Sequence, residues 1–436
     1  MKSIWDLTSE KVSFPPLEGD KRCDILIVGG GMAGVLLAYM LKRAGVECLL
    51  VEAERIGNGT TGSTTAKITV QHKLQLSRTL EYYGAEFASL YAEAQIKAFE
   101  EYEHLCRDID CDYEVCDSYV YTRNNKRAIE RELAAYEKIG LGVEYTESTE
   151  LPFEVSGALR MRNQARFNPL KFLYSIAEGL NIAENTRVLR VEGNVAVTEK
   201  GKITAEKIVI ATHFPIINNK GFYFLKMYQQ RSYVLALEGA ARYKGMYVED
   251  TENGMSMRCY GDVLLLGGGG HRSGKNGGGW RELLEFKEIY YPSSNEICRF
   301  AAQDCITLDG LPYVGKYSSL NKNLFVATGF NKWGMTSSMA AAMLLCDLVR
   351  ERSSDYSAVF SPGRMPIIGN LLKNIGSSAL SLIRPTSPRC SHLGCALKYN
   401  KAEHTWDCPC HGSRFDSDGK VIESPAIHDI KSGKCK

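Results

Sequence analysis

The sequence predicts an α/β fold with a doubly wound, Rossmann-like domain, an interleaved mixed-sheet domain and a small all-β module at the C-terminus. Near the N-terminus a glycine-rich turn joins an apolar strand to a helix. Between 216 and 300, apolar and polar residues alternate as in antiparallel strands. After residue 388, two short loops carry paired cysteine and histidine residues, which indicates a metal-binding module.

The first element is a dinucleotide-binding fingerprint. An apolar run at 23–28 predicts a buried parallel strand, and a glycine-rich turn and an apolar helix follow it. The turn lets the backbone approach a pyrophosphate, and the start of the helix offers free N–H groups to it. A second strand at 47–51 ends at Glu52, whose carboxylate can accept hydrogen bonds from ribose hydroxyls. The glycines of the fingerprint are Gly29, Gly31 and Gly34.

Later segments favour FAD over NAD. A loop rich in glycine and hydroxyl groups at 55–67 can reach an isoalloxazine ring, and a strand at 207–212 ends in small residues. A strand, a turn and an apolar helix run from 324 to 349, and a helix start aimed at the flavin would stabilise its reduced form. The residues expected to contact FAD are Gly29, Gly31, Met32, Ala33, Gly34, Glu52, Ala53, Thr60, Thr61, Thr65, Ala66, Val188, Ala211, Thr212, Gly310, Gly329, Asn331, Gly334, Met335 and Thr336.

Taken in order, these elements resemble the FAD-dependent oxidoreductases of the D-amino acid oxidase family, which includes glycine, sarcosine and amine oxidases. The resemblance covers about residues 20 to 356 and implies an enzyme that acts on a small amine or amino acid. It also implies a discontinuous oxidoreductase over 1–360. Its FAD-binding segments are expected at about 20–75, 156–215 and 301–356, and its substrate-domain segments at about 76–155 and 216–300.

The two C-terminal loops are predicted to hold a Rieske 2Fe–2S cluster. Cys390 and His392 lie in the first loop, and Cys408 and His411 lie in the second. In a Rieske centre two thiolates bind one iron and two imidazoles bind the other. Zinc is the alternative, because two cysteines and two histidines also complete a tetrahedral site. Zinc fingers, however, usually pair Cys with Cys and His with His, whereas each loop here contributes one of each.

The loops are similar to those of Rieske proteins in cytochrome bc complexes. That similarity implies a disulfide between Cys395 and Cys410, and a serine, Ser413, that hydrogen-bonds a cluster sulfide. Phe415 replaces a tyrosine that donates to a ligand cysteine in those proteins, so we expect a lower reduction potential here. As a whole, the chain resembles a bacterial subgroup that fuses such a flavoprotein to a C-terminal Rieske domain, here a short module at 389–436.

A linker at 361–388 precedes the module and contains an amphipathic helix from about 368 to 383. The interval leaves no room for the base sheet usual in Rieske domains. We therefore expect the helix and the module to pack on the flavoprotein body. Docking on a membrane surface is the alternative, although only Lys373 and Arg384 supply positive charge. The apolar stripe comprises Ile367, Ile368, Leu371, Leu372, Ile375, Leu380 and Ile383.

Five residues are candidates for other roles, each with a structural alternative. Lys67 and His72 could contact the flavin or handle a proton, or could only pack. Arg258 lies near the position where related oxidases bind a substrate carboxylate, but a surface arginine is the alternative. His271 follows four glycines and could face a cleft or lie in an exposed loop. Cys305 could attach FAD covalently, with burial as a small apolar residue the alternative.

Composition excludes several classes of protein. A net charge of +2 with 24% charged residues gives no basic field for nucleic acid. The sequence contains no apolar run of about 18 residues, so no transmembrane segment is predicted. The N-terminal residues lack the apolar core of a secretory signal, so the cytoplasm is the expected compartment.

The sequence therefore predicts hydride transfer from a small amine or amino acid to FAD, and one-electron transfer through the cluster to a carrier. One alternative is a reductase or electron-transfer protein fed by a partner. The other is a redox sensor without turnover.

Overall fold

The computed structural model describes residues 1–218, 220–383 and 388–430, without the side chains of Ser377, Ala379, Leu380 and Ile383. The predicted stripe residues Leu380 and Ile383, the basic Arg384 and the module end at 431–436 thus lie outside the described residues. The described helices are α1 (Ile4–Thr8), α2 (Met32–Arg43), α3 (Gln75–Tyr83), α4 (Ala85–Cys106), α5 (Lys126–Ile139), α6 (Pro169–Ala177), α7 (Tyr223–Lys226), α8 (Arg281–Tyr290), α9 (Gly334–Val349) and α10 (Ile368–Ile383).

The described strands are β1 (Lys21–Val28), β2 (Cys48–Val51), β3 (Lys67–Ile68), β4 (Glu114–Thr122), β5 (Glu144–Thr146), β6 (Gly157–Arg166), β7 (Ile182–Ala183), β8 (Val188–Glu192), β9 (Val195–Thr198), β10 (Lys202–Ile210), β11 (Met227–Glu238), β12 (Met246–Glu249), β13 (Ser256–Tyr260), β14 (Val263–Arg272), β15 (Asn295–Thr307), β16 (Tyr313–Ser318), β17 (Asn321–Thr328), β18 (Lys398–Asn400), β19 (Thr405–Asp407), β20 (Arg414–Phe415) and β21 (Val421–Glu423).

The first sheet is the predicted nucleotide-binding sheet, with strand order β16-β17-β10-β1-β2-β7. β1 pairs in parallel with β10 and β2, and β10 pairs in parallel with β17. The C-terminal half of β1 is buried, as expected for a strand with helices on both faces. Helix α9 packs against α2 on one face of this sheet and begins at Gly334.

The second sheet forms a roof over the first. Its main path is β15-β11-β14-β13-β12-β4-β6-β3, and all of these neighbours are antiparallel except β12 and β4. The predicted antiparallel character of 216–300 is confirmed by β11, β13 and β14. The segment 73–155 is largely helical and also contains β4 and β5. The α/β fold class is therefore confirmed.

The third sheet belongs to the C-terminal module and has the order β18-β19-β20-β21. Its four strands all follow Cys390 in the chain. They enclose a small core of cysteines and apolar side chains, including Phe415. The module rests on the roof sheet through contacts described below, which is how so short a segment is stabilised.

Helix α10 packs on the body, as predicted, but through a different face. Asn370 donates to the backbone oxygen of Leu308 at 2.8 Å, and Asn374 donates to that of Leu225 at 2.9 Å. The apolar stripe does not make this contact, because Ile368 and Leu372 are exposed. The asparagines take the buried side because their amides satisfy backbone oxygens there. None of the described helices is long and apolar enough to cross a membrane.

Candidate functional site

The glycine-rich turn after β1 has no room for side chains. Gly29 has φ of +116°, and a Cβ there would lie 2.5 Å from the backbone oxygen of Ala211. A Cβ on Gly34 would lie 2.0 Å from the backbone oxygen of Gly29. The turn, the end of β10 and the start of α2 therefore form a close-packed backbone cradle, as a pyrophosphate requires.

The polar groups around this cradle suit a dinucleotide. Gly31 caps α2 without a side chain, and the N–H of Met32 donates to the hydroxyl of Thr61 at 3.1 Å. The carboxylate of Glu52, at the end of β2, accepts from the N–H groups of Gly30 at 2.6 Å and Glu54 at 3.0 Å. Burial raises the pKa of Glu52, and these N–H groups oppose that rise. These residues fit the adenosine and pyrophosphate part of FAD.

A cavity lies between the loop after Thr60, the roof sheet and the start of α9. The predicted contacts Thr60, Thr65, Gly334 and Met335 line it, together with the candidate Lys67. Roof-sheet strands β11, β13, β14 and β15 also contribute. The residues that those strands place in the wall include Ser232, Tyr233, Val234, Ser256, Gly267, Gly268, Gly270, Ala302 and Asp304. The cavity is partly open to solvent, and its apolar lining with a few polar groups is typical of a cofactor or substrate site.

Four half-buried charged side chains, Lys67, Lys73, Asp304 and Lys332, line this cavity. Burial lowers the pKa of Lys67 to about 7, and the positive charge of Arg258 acts in the same direction. Burial also lowers the pKa of Lys73 to about 7 and the pKa of Lys332. Asp304 shares the cavity, and burial raises its pKa against the attraction of Lys332. Sequence reasoning missed Lys73, Lys332 and Asp304, because no spacing relates residues that only tertiary folding brings together.

Two of the weak catalytic candidates lie outside the cavity. Arg258 is fully buried, with its guanidinium 4.9 Å from the ring of Trp5, and it donates to the backbone oxygen of Phe167. The alternative of a surface arginine is therefore wrong. His271 lies in strand β14, and its ring stacks on Tyr233. It therefore does not lie in an exposed loop, and it does not line the cavity. The glycines before it are part of the strand, because they pair with β11 and β13.

The contacts of His72 and Cys305 indicate roles in packing rather than in catalysis. His72 contacts the hydroxyls of Tyr91 at 2.6 Å and Thr336 at 3.0 Å, and burial lowers its pKa to about 3. It therefore ties the start of α9 to the loop before α3. Cys305 is buried beside the backbone oxygen of His213 and does not line the cavity. That position matches the apolar role rather than a covalent link to FAD.

Several predicted flavin contacts use their side chains within the protein. Asn331 accepts from Thr307 and donates to the backbone oxygen of Gly329, and Thr336 donates to the backbone oxygen of Thr69. These residues keep only backbone groups for a cofactor. Gly310 packs against the side chain of Gln75. Two predicted contacts belong to the first sheet: Val188 joins the apolar cluster beneath it, and Ala211 bonds to β1.

The two C-terminal loops bring the four predicted metal ligands together. Cys390 and Cys408 are buried side by side, and the rings of His392 and His411 lie 5.1 Å apart. The Nδ1 atoms of both histidines are buried and have no hydrogen-bond partner in the part of the chain that the structure describes. Burial lowers the pKa of His392 to about 4 and that of His411 to about 3, so both rings are neutral, as metal ligands must be.

The environment of the thiols also fits a cluster. A hydrogen bond with the thiol of Cys408 lowers the pKa of Cys390 to about 7. The N–H of His392 and the hydroxyl of Ser413 add to this effect, against burial. Cys395 and Cys410 are joined in a disulfide with their Cα atoms 6.7 Å apart. Two loops clamped in this way, with orphaned imidazole nitrogens facing inward, fit a 2Fe–2S centre.

The cluster loops dock on the roof sheet through glutamine side chains. Gln229 of β11 donates to the backbone oxygen of His411 at 2.7 Å. Gln303 of β15 donates to that of Gly412 at 2.8 Å and to the side chain of Gln229 at 3.0 Å. Its neighbour Asp304 faces the cavity. Since successive side chains of a strand point to opposite faces, one layer of sheet separates the cavity from the cluster loops.

A buried ion network reinforces this interface. Glu403 of the module pairs with Arg231 of β11 and with Arg414 at 2.9 Å. Glu423 pairs with the same two arginines at 2.9 and 2.8 Å. Burial alone would raise the pKa of Glu403, but the two arginines lower it to about 2. The His side of the cluster also faces the body, since Asn218 contacts His392 at 2.6 Å.

Comparison with known proteins agrees with this geometry. Residues 24–348 match the family described as FAD dependent oxidoreductase, and residues 381–434 match the Rieske [2Fe-2S] domain. A protein of Bacillus subtilis (strain 168) named as a Rieske 2Fe-2S iron-sulfur protein, YhfW, is 33% identical over 99% of this chain and 97% of its own length. Gamma-glutamylputrescine oxidoreductase of Escherichia coli (strain K12) is 22% identical over 84% of this chain and 93% of that protein.

Among solved structures, glycine oxidase from Geobacillus kaustophilus superposes with a TM-score of 0.68. The match covers 79% of this chain and 99% of the oxidase at 20% sequence identity. At that identity the likeness shows the fold alone. The fold and the two domain matches together imply FAD and a 2Fe–2S cluster, so the zinc alternative is set aside.

Proposed function

The chain belongs to the FAD dependent oxidoreductase family and carries a Rieske [2Fe-2S] domain, and from this we propose that it oxidises a small amine or amino acid. The substrate gives a hydride to FAD, and the electrons leave singly through the cluster to a carrier. An amine that arrives neutral needs no catalytic base, whereas one held as an ammonium group must lose a proton before it gives up hydride. The compartment we propose is the cytoplasm, because the nine cysteines that the structure describes before residue 388 are all free thiols.

The observation that carries this proposal is the two-sided wall made by β11 and β15. On one face Ser232, Ala302 and Asp304 line the cavity, and on the other Gln229 and Gln303 hold the cluster loops. A cavity next to the flavin cradle favours a substrate that reacts there. An electron-transfer protein would need no such cavity beside its flavin. When bound, FAD exchanges two electrons or one, and the cluster exchanges one.

The charged groups of the cavity can bind an amino acid, or another amine that carries a carboxylate. Lys67 and Lys332 can hold a carboxylate, and Asp304 can hold an ammonium group. These three side chains are half-buried, so their interactions with a bound charge are screened less than at the open surface. A relative named for gamma-glutamylputrescine supports an amine as the reacting group. In this proposal Cys390, His392, Cys408 and His411 bind the cluster, and the cradle residues around Gly29 and Glu52 bind FAD.

The decisive experiment is anaerobic visible spectroscopy of the iron-replete protein with a panel of small amines and amino acids. We expect one compound to bleach the flavin bands, with the cluster bands following. If no compound bleaches the flavin while dithionite reduces both centres, the substrate-oxidising function is overturned. A partner protein would then be the source of the electrons.

A further inference from the structure

The segment that follows β10 joins the flavin cradle to the histidine side of the cluster loops. It begins at Ala211, whose backbone oxygen lies against Gly29 of the cradle. Further along the segment, the side-chain oxygen of Asn218 lies 2.6 Å from Nε2 of His392. One stretch of the flavoprotein body, 211–218, therefore reaches from the cradle to a histidine of the first cluster loop.

Both the body and the module fix the position of this segment. Ile217 is buried, and its backbone oxygen accepts a hydrogen bond from the hydroxyl of Tyr317 in β16 at 2.8 Å. Tyr317 is itself buried in the apolar cluster beside the first sheet. At the other end of the segment, Ser424 of the module donates to the backbone oxygen of Thr212 at 3.3 Å. A side chain on a backbone held in this way, as Asn218 is, can orient the group that it binds.

The contact with Asn218 decides which ring nitrogen of His392 carries the proton. An amide oxygen only accepts hydrogen bonds, so Nε2 must be the donor and Nδ1 must keep its lone pair. Nδ1 is buried, and it has no hydrogen-bond partner among the described residues. A free lone pair of this kind is what an imidazole needs in order to bind a metal. The contact with Asn218 therefore supplies the tautomer that a cluster ligand requires.

The second histidine of the cluster loops also lies against the body. The ring of His411 is 6.3 Å from that of Phe214 and 5.8 Å from that of Phe224. Phe214 belongs to the same segment as Asn218 and is fully buried. Both imidazoles thus contact the flavoprotein body, and a substitution in the body can change the environment of the cluster without altering its ligands.

We propose that Asn218 is a positioning residue for the cluster. It holds His392 in the tautomer and orientation that bind iron, and in this way it lowers the reduction potential of the cluster from the flavoprotein side. An acceptor at Nε2 makes the imidazole a stronger donor to iron, which favours the oxidised cluster over the reduced one. This role rests on the ligand set proposed above, but it depends neither on the substrate nor on the direction of electron flow.

A redox titration of the holoprotein with dithionite, monitored by EPR, tests this proposal without a substrate. Asn218→Leu removes the acceptor and keeps roughly the size of the side chain, so the midpoint potential should rise. Asn218→Asp keeps an acceptor and adds a negative charge, so the potential should fall. The matched control is Asn295→Asp, at an exposed position at the far end of β15 from Gln303. Its potential should equal that of the wild type.

Opposite shifts distinguish this role from a contact that only docks the module, because weaker docking would move both variants in the same direction. Equal potentials in the wild type and both Asn218 variants would overturn the proposal, and so would two shifts of the same sign. The iron-to-protein ratio of each variant is a second measurement. Loss of iron from Asn218→Leu alone would support the role, because only that variant lacks an acceptor. Loss of iron from Asn218→Asp would overturn it.

The same titration separates this proposal from the proposed oxidation of an amine. Dithionite supplies the electrons, so the potentials do not depend on whether any amine reduces the flavin. Wild-type protein without the EPR signal of a Rieske cluster would overturn the ligand set and the role of Asn218 together. A normal signal with unshifted potentials would overturn the role of Asn218 alone.

Discussion

The side-chain amide of Gln303 donates a 2.8 Å hydrogen bond to the backbone oxygen of Gly412 in the second cluster loop. The backbone oxygen of the same residue accepts a 2.7 Å hydrogen bond from Thr60, in the loop that lines the flavin cavity. One residue therefore connects the proposed flavin site to the cluster loop by two direct contacts. Ser273 fixes the glutamine further by donating to its side-chain oxygen at 2.6 Å.

Replacing Gln303 by methionine removes the amide and keeps the length of the side chain. We expect electron transfer from flavin to cluster to slow by about tenfold or more, because the loop loses its anchor and the gap between the sites widens. Flash photoreduction of the flavin, followed at the cluster bands, measures this rate. Gln95→Met is the control, since Gln95 is buried and its amide has no partner among the described residues. If electron transfer from flavin to cluster were equally fast in Gln303→Met and Gln95→Met, Gln303 would have no part in it.

Phe415→Tyr should raise the reduction potential of the cluster. Phe415 is fully buried in the core that contains Cys390 and Cys408, so an added hydroxyl can reach a ligand sulfur. A hydrogen bond to the thiolate stabilises the electron-rich reduced state. A redox titration monitored by EPR gives the potential, and Phe286→Tyr, on helix α8, is the control. No rise in Phe415→Tyr would contradict the expected effect of the hydroxyl.

Gly34→Ala should cost FAD binding. The new Cβ would lie 2.0 Å from the backbone oxygen of Gly29, so α2 must move away from the turn that cradles the pyrophosphate. We expect a loss of about 1–3 kcal/mol in stability and a low flavin content after purification. The ratio of flavin absorbance to protein measures it. Gly142→Ala has no atom within 4 Å of its new Cβ and should keep its FAD. Full FAD content in both variants would show that the cradle tolerates the shift.

Docking of the module should weaken in acid. Arg231 and Arg414 lower the pKa of Glu403 from 4.5 to about 2. A depressed pKa means that the stabilisation is complete above pH 4.5 and disappears as the pH falls from 4.5 towards 2, by about 3 kcal/mol in all. Thermal unfolding of the holoprotein along this range measures it.

Glu403→Gln should destabilise the protein at neutral pH, because two buried arginines lose a charged partner, and it should flatten the acid dependence. Glu147→Gln, at an exposed pair with Lys126, is the control and should leave the unfolding profile as in the wild type. If Glu403→Gln lost stability in acid as the wild type does, titration of Glu403 would not be the cause of that loss.

The features predicted from sequence are those fixed by local spacing. The cradle around Gly29 and the paired loops at Cys390 and Cys408 are short motifs, and their chemistry depends on a few neighbouring residues. Asp304 and Lys332 could not be found in this way, since they share a cavity with Lys67 although far apart in sequence. Only the pairing of β15 with β11 and the position of α9 bring them together.

The orientation of α10 shows a second limit. The apolar pattern predicted its helix correctly but not its buried side. Burial of that side was decided by Asn370 and Asn374, whose amides match two backbone oxygens of the body. A pattern of hydrophobicity does not contain the positions of unsatisfied backbone acceptors on another element. Gln229 and Gln303 could not be recognised for the same reason. In the sequence they are ordinary polar strand residues, and the backbone oxygens that they bind belong to the distant cluster loops.

The alternation of Gln303 and Asp304 along β15 has a consequence for how this protein can diversify. Gln303 contacts the cluster loop, whereas its neighbours Ala302 and Asp304 line the cavity, so the two faces can change independently. Substitutions at Ala302 or Asp304 can change which compound binds in the cavity without changing the contact between Gln303 and the cluster loop. An insertion of one residue would exchange the two roles at once, so the length of this strand is under stricter constraint than its composition.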